Sequence, residues 1–260
     1  MREPRFVAPG RRFCRGGRRG FAAPAAALLL LGAPAGAAAP NAYDRCMARV
    51  AEDPTAGEAE AARWRQSGGG LPARHCHAMA LAALGAEARA GAELAALGGE
   101  AGELPPEERA RILAQAAEFF LAAGEPEAAG EAVSRALLLA PDPALHTLAA
   151  RSAAARGRWA EAVLALDTAI EIAPSAGRAA LRATAYNRLG QASAARADAL
   201  WALEMAPGDP DGLLALGSAE AALGNRPAAR EAFLQAIEAD RGGPVAEFAR
   251  RRLQALEAGG

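Results

Sequence analysis

The chain has 260 residues, of which 52% are hydrophobic and only 5% aromatic, so alanine supplies most of the apolar count. All 29 basic residues are arginine, and the lack of lysine excludes a lysine Schiff base, a pyridoxal-phosphate anchor and a P-loop lysine. Seven arginines and one glutamate lie before residue 40, which leaves 22 arginines against 29 acidic residues in the remainder. This mildly acidic body without a basic stripe argues against nucleic acid as the partner.

Residues 1–39 have the pattern of a signal peptide. An arginine-rich start precedes a weakly apolar stretch that closes with small residues in the A-x-A style. We expect cleavage after Ala37, because cleavage two residues later would leave Pro40 at the new N-terminus. The pair Arg18-Arg19 leaves both the twin-arginine and the general secretory route open. The mature chain is therefore expected to be periplasmic or secreted, without a stable membrane anchor.

Two cysteines, Cys46 and Cys76, follow the signal segment. In an oxidising compartment they most simply form a disulfide, whose loop would add about 3–4 kcal/mol of stability. The flanking His75 and His77 invite a metal interpretation, but adjacent helical residues point about 100° apart and do not share one ion. Cys76-His77 also matches the end of a haem c attachment motif, whose first cysteine is replaced by Ala73. We expect the disulfide and no cofactor, with haem or metal binding as the rival interpretation.

The next segment, residues 40–104, is predicted to be an N-terminal helical cap that includes a degenerate repeat. Asp53-Pro54 is a favourable helix start. Residues 71–102 reproduce part of the glycine and alanine spacing that recurs in residues 105–243. The glycine- and proline-rich stretch 98–106 predicts a short hinge. The disulfide would fasten the first helix of this cap to the degenerate unit.

Residues 105–243 contain four units with a period of 33 or 34 residues. Alanine stands five and twelve residues after a recurring glycine, where it would let neighbouring helices approach closely. The glycine can end a helix in the left-handed conformation, and the proline separates one unit from the next. The two columns are Gly124, Gly157, Gly190 and Gly224 for glycine and Pro141, Pro174 and Pro207 for proline. Each unit is predicted to be a helical hairpin that cannot bury its faces alone, which gives an all-α fold.

These columns resemble the tetratricopeptide repeat family, whose units carry a small residue, an aromatic, Gly, Ala, a bulky apolar residue, Ala and Pro in that order. The aromatic position is filled by Phe120 and Tyr186 but departs from the pattern at Ala153 and Glu220. The resemblance implies an α-α superhelical solenoid of helix hairpins. It also implies a protein-protein interaction role, with the ligand in the concave groove lined by the first helix of each pair.

Matching the register of the family assigns residues of this chain to the groove. Arg151, Asn187 and Arg188 are the best candidates for gripping an extended peptide, because their side chains donate to backbone carbonyls or carboxylates. The other predicted lining residues are Arg111, Gln115, Glu118, Thr147, Thr184 and Ser218.

Residues 244–260 are predicted to form a C-terminal capping helix. Its apolar stripe would consist of Val245, Phe248, Leu253 and Leu256.

The sequence carries no catalytic motif of the G-x-S-x-G, H-E-x-x-H, C-x-x-C or phosphate-loop type, so we do not expect an enzyme. We predict a non-catalytic periplasmic scaffold or adaptor that binds a protein or peptide partner. The alternatives are a helper in the assembly or maturation of exported proteins such as c-type cytochromes, and a metal- or haem-binding protein.

Overall fold

The computed structural model describes residues 41–100 and 102–258, so the predicted signal segment lies outside the described residues. The described part of the chain contains thirteen α-helices and no β-strand, and none of these helices is long and apolar enough to cross a membrane. In chain order the helices are α1 (Ala42–Glu52), α2 (Pro54–Gln66), α3 (Gly70–Ala83), α4 (Glu87–Glu100), α5 (Pro106–Ala122), α6 (Pro126–Leu139), α7 (Pro143–Ala155), α8 (Trp159–Ile172), α9 (Ala176–Arg188), α10 (Ala192–Met205), α11 (Pro210–Ala222), α12 (Arg226–Ala239) and α13 (Pro244–Ala258).

The helices pack as consecutive hairpins, from α1–α2 to α11–α12, and α13 packs on α11 and α12. Each hairpin also contacts the next one, as α8 contacts α9 and α9 contacts α11. The predicted all-α solenoid is therefore confirmed, with a core divided into clusters along its length.

Glycine ends the first helix of the hairpins as predicted. The φ angles of Gly124, Gly157, Gly190 and Gly224 lie between 72° and 80°, the region that L-residues with a Cβ rarely adopt. At Gly157 the next residue, Arg158, donates its backbone N–H to the carbonyl of Ala153, which is the closing bond of a Schellman ending. Each hairpin thus turns at the same place in its unit.

Small residues set the distance between the helices. The alanines five and twelve residues after each repeat glycine are buried in all four units. At Gly217, which occupies the small position of the fourth unit, a Cβ atom would lie 2.6 Å from the ring of Phe233. The helices therefore approach more closely at these columns than larger side chains would allow.

The predicted hinge begins later than expected. Gly98 and Gly99 lie inside α4, which continues to Glu100. A Cβ atom on the buried Gly98 would lie 2.8 Å from Leu113 of α5, so this glycine serves close helix packing and not a turn.

The buried face of α13 also differs from the predicted stripe. Ala246 and Ala249 are its buried residues, and Leu253 and Leu256 pack against the same cluster as Leu213 and Phe233. Phe248 is 54% exposed. Alanine makes the close contact here, as it does between the repeats, and the larger ring of Phe248 stays partly exposed.

The structure contains the predicted disulfide between Cys46 and Cys76. It joins α1 to α3 with the two Cα atoms 6.4 Å apart. Both cysteines belong to a buried cluster with Val50, Ala61 and Ala80. The bond holds the first helix to the hairpin that follows α2.

Charged side chains pair between helices of the C-terminal repeats. Arg182 of α9 forms a bidentate pair with Asp198 of α10 (2.6 and 2.8 Å) and contacts Asp167 of α8 at 2.7 Å. Asp198 is only 8% exposed. Glu220, which stands in an aromatic column and is 5% exposed, accepts from Arg196 at 2.6 Å. The Arg182–Asp198 pair lies within the α9–α10 hairpin, whereas the Arg182–Asp167 and Arg196–Glu220 pairs connect neighbouring hairpins.

Gly57 provides a test of the small-residue packing. A Cβ at this position in α2 would lie 2.6 Å from the Cα atom of Val50 in α1, and backbone cannot rotate away. We expect Gly57→Ala to lower the free energy of unfolding of the N-terminal hairpin by about 1–3 kcal/mol, measured by native-state hydrogen exchange. Gly177→Ala is the control, because no atom lies within 4 Å of its Cβ position. Equal destabilisation by the two changes would contradict this explanation.

Arg182 provides a test of how much the buried ion pairs contribute to the unfolding free energy. Arg182→Ala leaves the carboxylate of Asp198 buried without its bidentate partner, and we expect a loss of about 2–4 kcal/mol in unfolding free energy. In the control, Arg230→Ala, the lost partner is Glu257 at 3.5 Å, and both side chains are exposed, so the change should stay below about 1 kcal/mol. Denaturant titration of both variants measures the difference. A loss for Arg182→Ala no greater than for the control would show that the pair is dispensable.

Candidate binding groove

A cavity of about 780 Å³ lies on the inner side of the C-terminal repeats, between α9, α11 and α13. Its size falls within the usual range for ligand sites in proteins. The residues that line it along these three helices include Leu181, Thr184, Asn187, Arg188, Asp211, Leu214, Ala215, Ser218, Val245, Phe248, Arg252 and Leu256.

The lining is mainly apolar. Leu181 and Leu214 come from the first helices of two successive repeats, and Val245 and Leu256 come from α13. The exposed ring of Phe248 adds an aromatic surface, and the guanidinium of Arg251 lies 4.4 Å from the centre of that ring. An apolar side chain of a ligand could bury surface here.

Asn187 is the most constrained polar residue of the lining. Its Nδ2 atom donates to the carbonyl oxygen of Ala215 at 2.9 Å, so the side chain connects α9 to α11. Its Oδ1 atom is buried and has no hydrogen-bond partner among the described residues. A buried acceptor without a partner is unusual in a folded protein.

Three charged side chains also line the cavity. The guanidinium of Arg188 lies 5.2 Å from the ring centre of Trp159, and neither Arg188 nor Arg252 has a carboxylate partner within the described part of the chain. Asp211 is the one carboxylate of the lining. Partial burial raises the pKa of the Asp211 carboxyl, and the negative charges of Asp209 and Asp240 raise this pKa further.

The structure brings four of the predicted groove residues together in this cavity, namely Thr184, Asn187, Arg188 and Ser218. The hydroxyls of Thr184 and Ser218 donate to carbonyls of their own helices.

The other predicted groove residues do not line the cavity. Glu118 and Arg151 are exposed on α5 and α7. Arg111 donates to the carbonyl of Glu107, one turn earlier in α5. Thr147 accepts from Arg178 at 3.0 Å.

Gln115 is used to join the first helices of the N-terminal hairpins. The Tyr43 hydroxyl of α1 forms a hydrogen bond with Nδ1 of His75 in α3 at 2.9 Å, and Nε2 of His75 donates to Oε1 of Gln115 in α5 at 2.9 Å. The amide of Gln115 in turn donates to the sulfur of Met79. The predicted groove residue Gln115 is thus engaged within the protein.

His77 points away from His75. Its Nδ1 atom lies 2.6 Å from a carboxylate oxygen of Glu93, and its Nε2 atom lies 3.2 Å from one of Glu58. The two nitrogens face different carboxylates. Among residues 41–100 and 102–258 no group of three or more His, Cys, Asp and Glu side chains could hold a metal ion. Cys76 is held in the disulfide and offers no free thiolate.

The contribution of α13 to the cavity differs from the sequence-based prediction, which places Phe248 in the capping stripe and gives Arg252 no role in binding. A signal was present, since Phe248, Arg252 and Ala255 follow one another at intervals of four and three residues and share one helix face. That face borders the cavity.

No known family model matches the sequence, and no curated protein matches it either. Solved structures do match the fold. A chain of the APC/C hetero-tetramer Cut9–Hcn1 aligns with a TM-score of 0.59 at 14% identity, over 82% of this chain. This chain covers only 42% of that one.

Two smaller proteins match over nearly their whole length. YrrB, described as a TPR protein with an unusual peptide-binding site, has a TM-score of 0.54 and 16% identity over 81% of this chain and 100% of its own. TTC0263, a TPR protein of Thermus thermophilus, has a TM-score of 0.54 and 19% identity over 72% of this chain and 99% of its own. The chain therefore has the fold of the tetratricopeptide-repeat proteins.

Proposed function

We propose that the chain is a non-catalytic scaffold of the cell envelope that holds a segment of a partner protein in the groove between α9, α11 and α13. The observation that carries this proposal is the cavity of about 780 Å³, with its apolar lining and a few polar side chains at fixed positions. This combination is typical of a site that buries part of a ligand. The peptide-binding site of YrrB, a protein of the same fold, supports the proposal by analogy.

The chemistry of the lining favours binding over catalysis. The hydroxyls of Thr184 and Ser218 donate to the carbonyls of Ala180 and Leu214, and no histidine is among the residues that line the cavity. A hydroxyl nucleophile needs a neighbouring base to activate it. The groups present suit hydrogen bonding and ion pairing with a ligand.

Export is part of the proposal. Residues 1–39 have the signal pattern, with cleavage expected after Ala37. A disulfide between Cys46 and Cys76 fits an oxidising compartment, where such bonds form and persist. The mature scaffold would therefore act in the periplasm or outside the cell.

Position-specific photo-crosslinking in the organism's own cells tests this function. A photoreactive residue at Thr184 should give a crosslinked protein partner in the periplasmic or secreted fraction. The matched control carries the same residue at Leu164, which is 67% exposed on α8 and does not line the cavity, and it should give no such product. Equal products at both positions, or recovery of the chain from the cytoplasm alone, would contradict the proposal.

The identity of the captured partner then distinguishes two uses of the scaffold. A c-type cytochrome or a member of its assembly machinery would indicate a helper in maturation. A structural component of the envelope would indicate an adaptor.

A further inference from the structure

We propose, on the basis of the function above, that α13 is the selecting wall of the groove and that it recruits a segment with a large apolar side chain flanked by acidic residues. The helix would then both end the solenoid and determine which segment binds.

The two faces of α13 divide these roles. Ala246 and Ala249 are buried against the last repeat, as expected for a helix that ends a solenoid. The adjacent face, with Phe248 and Arg252, borders the cavity. A helix that served only as an end cap would place polar residues on the face away from the core.

Phe248 supplies the apolar anchor. More than half of its surface is exposed, whereas Ala246 and Ala249 of the same helix are fully buried. The guanidinium of Arg251 lies over the ring, 4.4 Å from its centre. Because a large aromatic side chain contributes strongly when it becomes buried in an interface, an apolar ligand side chain against Phe248 would provide much of the affinity.

The charges of the lining indicate an acidic segment. The mature body carries 22 arginines against 29 acidic residues, yet the cavity is lined by two arginines and a single carboxylate. Elsewhere in the repeats Arg182 and Arg196 are committed to buried carboxylates. Arg188 and Arg252 have no such partner within the described residues, so both can pair with carboxylates of a ligand.

The position of Asp211 relative to the two arginines would orient a ligand bound in the groove. It lies in the first turn of α11, whereas Arg188 is the last residue of α9 and Arg252 lies in the middle of α13. An acidic side chain of the ligand would pair with the arginines and avoid Asp211. A basic side chain would be attracted by one carboxylate and repelled by two guanidinium groups.

A displayed library of random linear peptides, selected against the full mature chain, tests this inference. We expect enrichment of peptides that combine an aromatic or large aliphatic residue with Asp or Glu. For a selected peptide, replacing its acidic residues by amides should weaken binding about tenfold, because charge-assisted hydrogen bonds are lost. Phe248→Ala should weaken binding by at least about tenfold.

The matched control is Arg250→Glu. Arg250 is exposed on the same helix but does not line the cavity, so its reversal should leave affinity within about twofold, whereas Arg252→Glu should weaken binding about tenfold or more. Circular dichroism of each variant checks that the helices are intact.

Four results would overturn the inference. Selected peptides without acidic preference, or equal effects of Arg252→Glu and Arg250→Glu, would remove α13 as the selecting wall while the groove still binds. Self-association of the chain that Phe248→Ala abolishes would place a second copy in the groove. Binding that persists when Thr184→Trp fills the cavity from α9 would remove the groove itself, and with it the proposed function.

Discussion

The close approach of helices at alanine and glycine columns is the constraint on which the rest of this structure depends. Each hairpin buries little apolar surface by itself, so its stability comes from the contact with its neighbours. Buried alanines at the same two places in every unit keep that contact uniform. In the C-terminal repeats, Arg182 of α9 also pairs with Asp167 of α8, and Arg196 of α10 pairs with Glu220 of α11, so ion pairs add to the contact between hairpins.

The contacts between the first helices of the hairpins determine where the groove lies. At the N-terminal end, the inner helices α1, α3 and α5 are joined by the chain of hydrogen bonds from Tyr43 through His75 to Gln115. At the C-terminal end, α9 and α11 are joined through Asn187, and α13 packs by its alanine face. This arrangement leaves the cavity between the three helices, with Phe248 on its wall.

The sequence predicted the elements that local patterns determine. A glycine in the left-handed region, a proline between units and buried alanines follow from backbone conformation and helix periodicity, and a pair of cysteines near two helices of one cap indicated the disulfide. The position of Phe248 and the engagement of Gln115 by His75 and Met79 depend on how distant helices are placed. A single sequence carries no direct record of those contacts. The glycines of α4 were similarly ambiguous, because glycine permits both a turn and a close helix contact.

A crystal structure of the chain with a bound partner segment would test the central claim most directly. The account predicts the segment on the inner face between α9, α11 and α13, with an apolar side chain against Phe248 and a carboxylate at Arg188 or Arg252. A segment bound to the outer face formed by the second helices of the hairpins, with the cavity left open, would contradict it.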